Sequence, residues 1–209
     1  MALATSISRP PIEWGVASRP MPGQEAAGDL HLVKTVGDVA LLAVVDGLGH
    51  GREAIRAAEC AVKILEQHAT DPLITLAHRC HEALGRTRGV VMTLASLQLS
   101  KGTMAWLSVG NVEGWLFRSR SNARPPSERV LLRSGVVGYQ LPELHTDVLF
   151  LAPGDLLLLA TDGIRVGFVE QLKLADAPSD IVKRVMAQEF KGTDDALVLA
   201  ARYLGKAHE

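Results

Sequence analysis

The chain has 209 residues, 22 Lys plus Arg against 23 Asp plus Glu, and a formal net charge of −1. That length is enough to bury about 70% of the unfolded surface in one domain with a real core, while the neutral balance argues against nucleic acid or an anionic membrane as partner. The two cysteines, Cys60 and Cys80, have neither zinc-ligand spacing nor a secreted disulfide pattern, so they are expected to be reduced structural thiols.

In chain order, the opening "MALATSISRPPIEW" lacks a basic n-region followed by an apolar h-region, so no signal peptide is expected. No apolar run approaches the ~20 residues needed to cross a bilayer. A single cytoplasmic domain over residues 1–209, with no separate sensor domain, is the expectation. Segment 29–46 reads as a hairpin: "LHLVKTV" and "VALLAVV" are strand-like runs around the tight-turn pair Gly37-Asp38. With that loop, Asp29 falls directly opposite Asp46. Opposed Cβ atoms lie roughly 4.5–5.5 Å apart and like charges there repel, so the pair needs a reason, of which a bound cation is the simplest.

"REAIRAAECAVKILEQHA" reads as a helix with Ile55, Ala58, Val62 and Leu65 on its apolar stripe. "DPLITLAHRCHEALGR" reads as another, with Asp71 as N-cap and Pro72 in its first turn. "VVMTLASLQL", "TMAWLSV" and "VEGWLFR" are expected strands, separated by Ser100-Lys101-Gly102 and by Gly110-Asn111. "SRSNARPPSER" is expected to be a solvated loop. "TDVLFLA" and "LLLLAT" read as a hairpin around Pro153-Gly154-Asp155, "PSDIVKRVMAQEF" as a last amphipathic helix and "ALVLAARYL" as the closing strand. Strands in hairpins with helices clustered between them predict an α+β fold of antiparallel sheets with helices packed outside.

Acidic residues mark the strand ends. Asp29 starts one, Asp46 and Asp162 finish two, and Asp194-Asp195 precede the last. Strand ends are rigid platforms on which carboxylates converge. Oxygen ligands without His or Cys suit hard cations, Mg²⁺ or Mn²⁺ rather than Zn²⁺. Gly47, having no Cβ, is free to turn its carbonyl toward a cation held by Asp46. Other chemistries fail on spacing: "GLGHGR" misses the dinucleotide fingerprint, and neither a phosphate-binding G-x-x-x-x-G-K-[ST] loop nor a G-x-S-x-G elbow occurs. Ser108 and Thr161 have no adjacent base. His31, His78 and His81 are expected to be structural or exposed, and Trp106 and Trp115 to sit in the core.

At "AGD" (27–29), "VVDGLGHG" (44–51), "GVVMTLA" (89–95), "GNVEGWLF" (110–117), "LLATDGI" (158–164) and "GTDDALVL" (192–199), the sequence resembles metal-dependent protein phosphatases of type 2C, the PPM family. Within it the chain is similar to the bacterial SpoIIE/RsbU/RsbX-like branch, and most to the small stand-alone RsbX type that resets the stressosome, an assembly of STAS-domain proteins. The resemblance implies a β-sandwich of two antiparallel sheets flanked by helix pairs, in α-β-β-α layers. It also implies two Mn²⁺ (or Mg²⁺) ions: Asp46 bridging, the Gly47 carbonyl on one with Asp29 on that ion or its waters, Asp162 and Asp194 completing the other, and Asp195 in support behind the ligands. A metal-activated water would attack phosphoserine or phosphothreonine, which counts Asp46 and Asp29 as catalytic.

Three departures stand out. Gly28-Asp29 replaces the Glu-Asp of eukaryotic members, which leaves one metal ligand lost or replaced. Arg19 lies too far upstream to match their phosphate-binding arginine. Leu48 stands where they place a histidine, leaving His50, two residues on, either as general acid or as a cap for the following helix. The resulting expectation is a monomeric, cytoplasmic serine/threonine phosphatase acting on stressosome STAS-domain proteins. The alternatives are the same chemistry on a free anti-anti-sigma factor, an inactive phosphoprotein-binding module, and a small-molecule phosphatase.

Overall fold

The computed structural model describes residues 10–120 and 122–205. Among them lie strands β1 (Ile12–Arg19), β2 (Asp29–Val36) and β3 (Val39–Gly47), then helices α1 (Arg52–Gln67) and α2 (Leu73–Leu84). Strands β4 (Val90–Gln98), β5 (Thr103–Val109), β6 (Glu113–Phe117), β7 (Ser127–Arg129), β8 (Asp147–Phe150) and β9 (Leu156–Ala160) follow. Helix α3 (Pro178–Glu189) and strand β10 (Ala196–Tyr203) complete the order. The strands form two antiparallel five-stranded sheets, β1-β10-β9-β6-β7 and β2-β3-β4-β5-β8.

The apolar runs are continuous because their strands are buried on both faces, and successive side chains alternate between layers. On β3, Leu41, Ala43 and Val45 pack under α1 and α2, while Ala40, Leu42 and Val44 face the other sheet. On β9, Leu156, Leu158 and Ala160 pack under α3, while Leu157 and Leu159 face inward. The result is the expected α-β-β-α layering, with the helix pair α1/α2 on one side. On the other side are α3 and a 3-10 turn, Phe168–Gln171. Among the described residues no helix is long and apolar enough to cross a membrane.

The hairpin β2–β3 has the expected register, with Asp29 paired to Asp46 and Val36 to Val39. Four expectations need correction. "TDVLFLA" and "LLLLAT" are not a hairpin: β8 pairs with β5 in one sheet and β9 with β10 and β6 in the other. The turn between them crosses sheets, and the buried Asp155 carboxylate closes it by accepting from Ala152 N at 3.0 Å and Ser119 N at 2.8 Å. Part of the expected loop is strand, since β7 pairs with β6. Asp71 does not cap α2; its carboxylate pairs with Arg79 at 2.9 Å. The buried stripe of α1 is Ala54, Ala57, Ala58, Ala61 and Leu65 rather than one through Ile55 and Val62, because alanines let the helix axis approach the sheet.

Strand β1, which has no clear periodicity, adds an edge to its sheet and supports α3. A Cβ on Gly15 would stand 2.5 Å from the Ser179 Cα, so glycine is what lets the first turn of α3 touch β1. Gly15→Ala is therefore expected to push α3 off the sheet and cost about 2–3 kcal/mol, as overpacking does. Urea unfolding monitored by circular dichroism checks this; an unchanged midpoint would refute the close contact.

Candidate active site

Asp29, at the start of β2, and Asp46, at the end of β3, lie on the strand faces that point between the sheets. The other sheet brings its acidic residues to the same end, because β9 finishes there before Asp162 and β10 begins there after Asp194-Asp195. Asp46, Asp162 and Asp194 line one open cleft of ≈ 520 Å³, together with Gly49, Asn111 and Ser134. Burial grades across the group. Asp29 and Asp195 are 4% exposed, Asp46 is half-buried, and Asp162 and Asp194 are open to solvent.

The buried members are tied in place. Thr161 continues the inward-facing parity of Leu157 and Leu159. Its hydroxyl donates to Asp29 Oδ2 at 2.8 Å and accepts from Leu197 N at 2.8 Å. Asp195 accepts from Met21 N at 2.7 Å and from Gly28 N at 2.6 Å, which ties the segment before β2 to the start of β10. Asp194 Oδ1 accepts from Asp195 N at 2.9 Å, and Asn111 Nδ2 donates to Asp162 Oδ2 at 2.8 Å. The glycines have a packing reason as well: a Cβ on Gly47 would stand 2.2 Å from the Ala54 carbonyl oxygen, so only glycine lets the first turn of α1 close onto the strand end.

The electrostatics follow from crowding. Burial, and then the charges of Asp29, Asp162, Asp194 and Asp195, push Asp46 up to about 8. Burial raises Asp29 to about 7; the Thr161 hydrogen bond opposes this, and the charges of Asp195, Asp194 and Asp162 add to it. A site that resists holding its own negative charge is one that a cation relieves. The donors are oxygens, and the residues lining the cleft include neither His nor Cys, so the set fits Mg²⁺ or Mn²⁺. Among the described residues no three such side chains already form a closed coordination shell. Of the carboxylates lining the cleft, Asp162 and Asp194 are the solvent-facing ones.

The fold thus gathers Asp29, Asp46, Gly47, Asp162, Asp194 and Asp195 at one end of the sandwich. His50 is exposed and does not line the cleft, and α1 has no side-chain cap, which removes the capping role expected as one option for it. Arg19 stacks on the Phe190 ring at 4.9 Å. Sequence pattern assigns no role to Thr161 or to Asn111. The inward parity of β9 is a signal for Thr161, whereas Asn111 reads as turn chemistry alone.

A family model, Stage II sporulation protein E (SpoIIE), matches residues 37–204. The chain belongs to the SpoIIE family. Phosphoserine phosphatase RsbX of Bacillus subtilis (strain 168) is 24% identical over 144 residues, 69% of this chain and 70% of that protein. A solved structure described as "The bacterial stressosome: a modular system that has been adapted to control secondary messenger signaling" is 32% identical, covers 91% of this chain and 99% of its own, and superposes with a TM-score of 0.83. RsbX in complex with magnesium covers 91% of this chain and 94% of its own at 21% identity, with a TM-score of 0.81. This SpoIIE-family chain has the PP2C fold and is a protein phosphatase by class.

Two expectations follow from the geometry. Asp29 and Asp46 have folded pKa values above their unfolded ones, so the folded chain holds protons that the unfolded chain has already lost. Their contribution to stability is complete at low pH and disappears as pH rises through about 7 to about 8. In chelator, the melting temperature should fall between about pH 5 and about pH 8.5, and Asp46→Asn should flatten that slope. A slope unchanged in the variant would refute the assignment. Thr161→Val removes the donor to Asp29 and the acceptor for Leu197 N, and should cost about 1–3 kcal/mol in denaturant unfolding.

Proposed function

We propose that this phosphatase removes phosphate from phosphoserine or phosphothreonine in STAS-domain proteins of a stressosome. The chemistry rests on one observation: Asp46, Asp162 and Asp194 face a single open cleft, with Asp29 directly across the strand pair from Asp46. The substrate assignment draws on the likeness to RsbX and to the stressosome structure. An open cleft suits a phosphorylated side chain on a protein surface.

In this reading Asp46 would serve both of two divalent cations, Asp162 and Asp194 would help hold one, and Asp29 with the Gly47 carbonyl would help hold the other. Two Mn²⁺ or Mg²⁺ ions, when bound, would supply positive charge to the phosphoryl oxygens and activate water. The protein's own part is positional. Thr161 fixes the rotation of Asp29, Asp195 pins Gly28 beside it, and Asn111 holds Asp162 at the rim. The half-buried setting of Asp46 keeps competing water from spreading its charge, which strengthens every interaction it makes.

Phosphate release from a phosphorylated STAS-domain protein, measured with Mn²⁺, with Mg²⁺ and with chelator, tests the reading. Wild type should turn over only with metal. Asp46→Asn, verified as folded, should lose at least about 100-fold, the scale of removing one preorganised electrostatic group. Metal-independent turnover, or an active Asp46→Asn, would overturn it.

A further inference from the structure

The cleft is only half acidic. It is also lined by apolar side chains: Leu48 just after β3, Val91 on β4, and Leu132 and Val136 from the segment that follows β7, with Leu48 and Leu132 seated on the inter-sheet core. Residues 132, 134 and 136 line the cleft in alternation, as one face of an extended segment does. That segment is held at both ends. Val130 N donates to Gly114 O at 2.9 Å in one sheet, and Val137 exchanges two 2.9 Å bonds with Val90 in the other. Between them Gly110 N donates to Arg133 O at 2.8 Å, and Val136 N donates to Gln140 O at 2.8 Å. Residues 130–137 are thus a strap pinned across both sheets, and a wall so fixed is preorganised for a ligand.

We infer that this strap is the specificity element of the phosphatase: Leu132 and Val136, with Leu48 and Val91, form a subsite for an apolar side chain next to the phosphorylated residue. The inference rests on the phosphatase reading proposed for the acidic cleft. A phosphoryl group occupies the carboxylate end and leaves the adjoining apolar wall to the neighbouring residue of the substrate. Because the cleft is open and Ser134 on its strap face is exposed, the site is suited to a protein surface rather than to closing over a small molecule. Leu48 gains a use here. At that position a hydrocarbon side chain offers no proton, but it completes the apolar wall.

The test uses two phosphoserine peptides that differ only in their flanking residues, Leu or the near-isosteric Asn. Wild type should prefer the Leu peptide roughly tenfold in kcat/KM, the scale of a partly buried aliphatic side chain. Leu132→Ala should shrink that ratio to about twofold, and Ser134→Leu, at an exposed position where folding is not at stake, should widen it. p-Nitrophenyl phosphate serves as the control. If it is turned over with metal while the two peptides react alike, or while neither reacts, or if both variants keep the wild-type ratio, the subsite is wrong and the phosphatase reading stands. If neither it nor the peptides are turned over with metal, the parent reading falls and the subsite with it.

Discussion

Two aspartates stand directly across a strand pair, on the face that points between two sheets, and each raises the cost of ionising the other. Asp29 and Asp46 cannot drift apart, because the tight turn at Gly37-Asp38 sets the register of β2 and β3 and the alternating core locks it. A slip of one residue would turn every inward side chain of β3 toward the helices. The repulsion is therefore fixed by the same contacts that stabilise the fold. Removing it requires either protons or cations, and that choice governs the rest of the site.

The opposing sheet supplies the restraint. Thr161 follows β9 and reaches Asp29 on β2; Asp195 precedes β10 and reaches Gly28 and Met21. Both links run between the layers of the sandwich at its acidic end, so the two sheets are joined by hydrogen bonds where their apolar contact runs out. Positions of the buried carboxylates are then as rigid as the strands that carry them. The exposed ones, Asp162 and Asp194, carry one tie each, from Asn111 and from the Asp195 amide, and face the open cleft.

Local pattern makes much of this legible. The hairpin, its register, strands β4 to β6, α3 and β10 follow from short-range turn chemistry and periodicity, and the register alone puts Asp29 against Asp46. What is not legible depends on partners far along the chain. The run "LLLLA" has the pattern of half a hairpin, but a strand buried on both faces takes whichever neighbours the sheet offers, and β9 takes β6 and β10. The alanines of α1 give a weak apolar signal, yet they are what brings the helix close. Thr161 has no nearby base in sequence and so reads as inert; its role lies in a contact 132 residues away along the chain. The strap's wall likewise exists only once both sheets are in place.

The Gly28-Asp29 pair shows how a residue without a side chain makes room for a carboxylate from the other sheet. A Cβ on Gly28 would meet Ala54 Cβ at 3.1 Å and Asp195 Oδ2 at 3.3 Å, so the space a longer acidic residue would need is filled by the first turn of α1 and by a carboxylate from the other sheet. Asp195 also takes the Gly28 amide at 2.6 Å, which only a residue with its backbone exposed to that approach allows. The Asp195 carboxylate thus stands where a side chain at 28 would project. Because two backbone amides hold it, the Asp195 carboxylate adds its charge to those of Asp194 and Asp162 around Asp29 from a fixed position. Glycine at 28 and aspartate at 195 are one solution in two parts: the missing Cβ permits the approach and the carboxylate uses it, alongside the Gly47 N to Gly28 O bond and the Thr161 bond to Asp29 that also hold the start of β2.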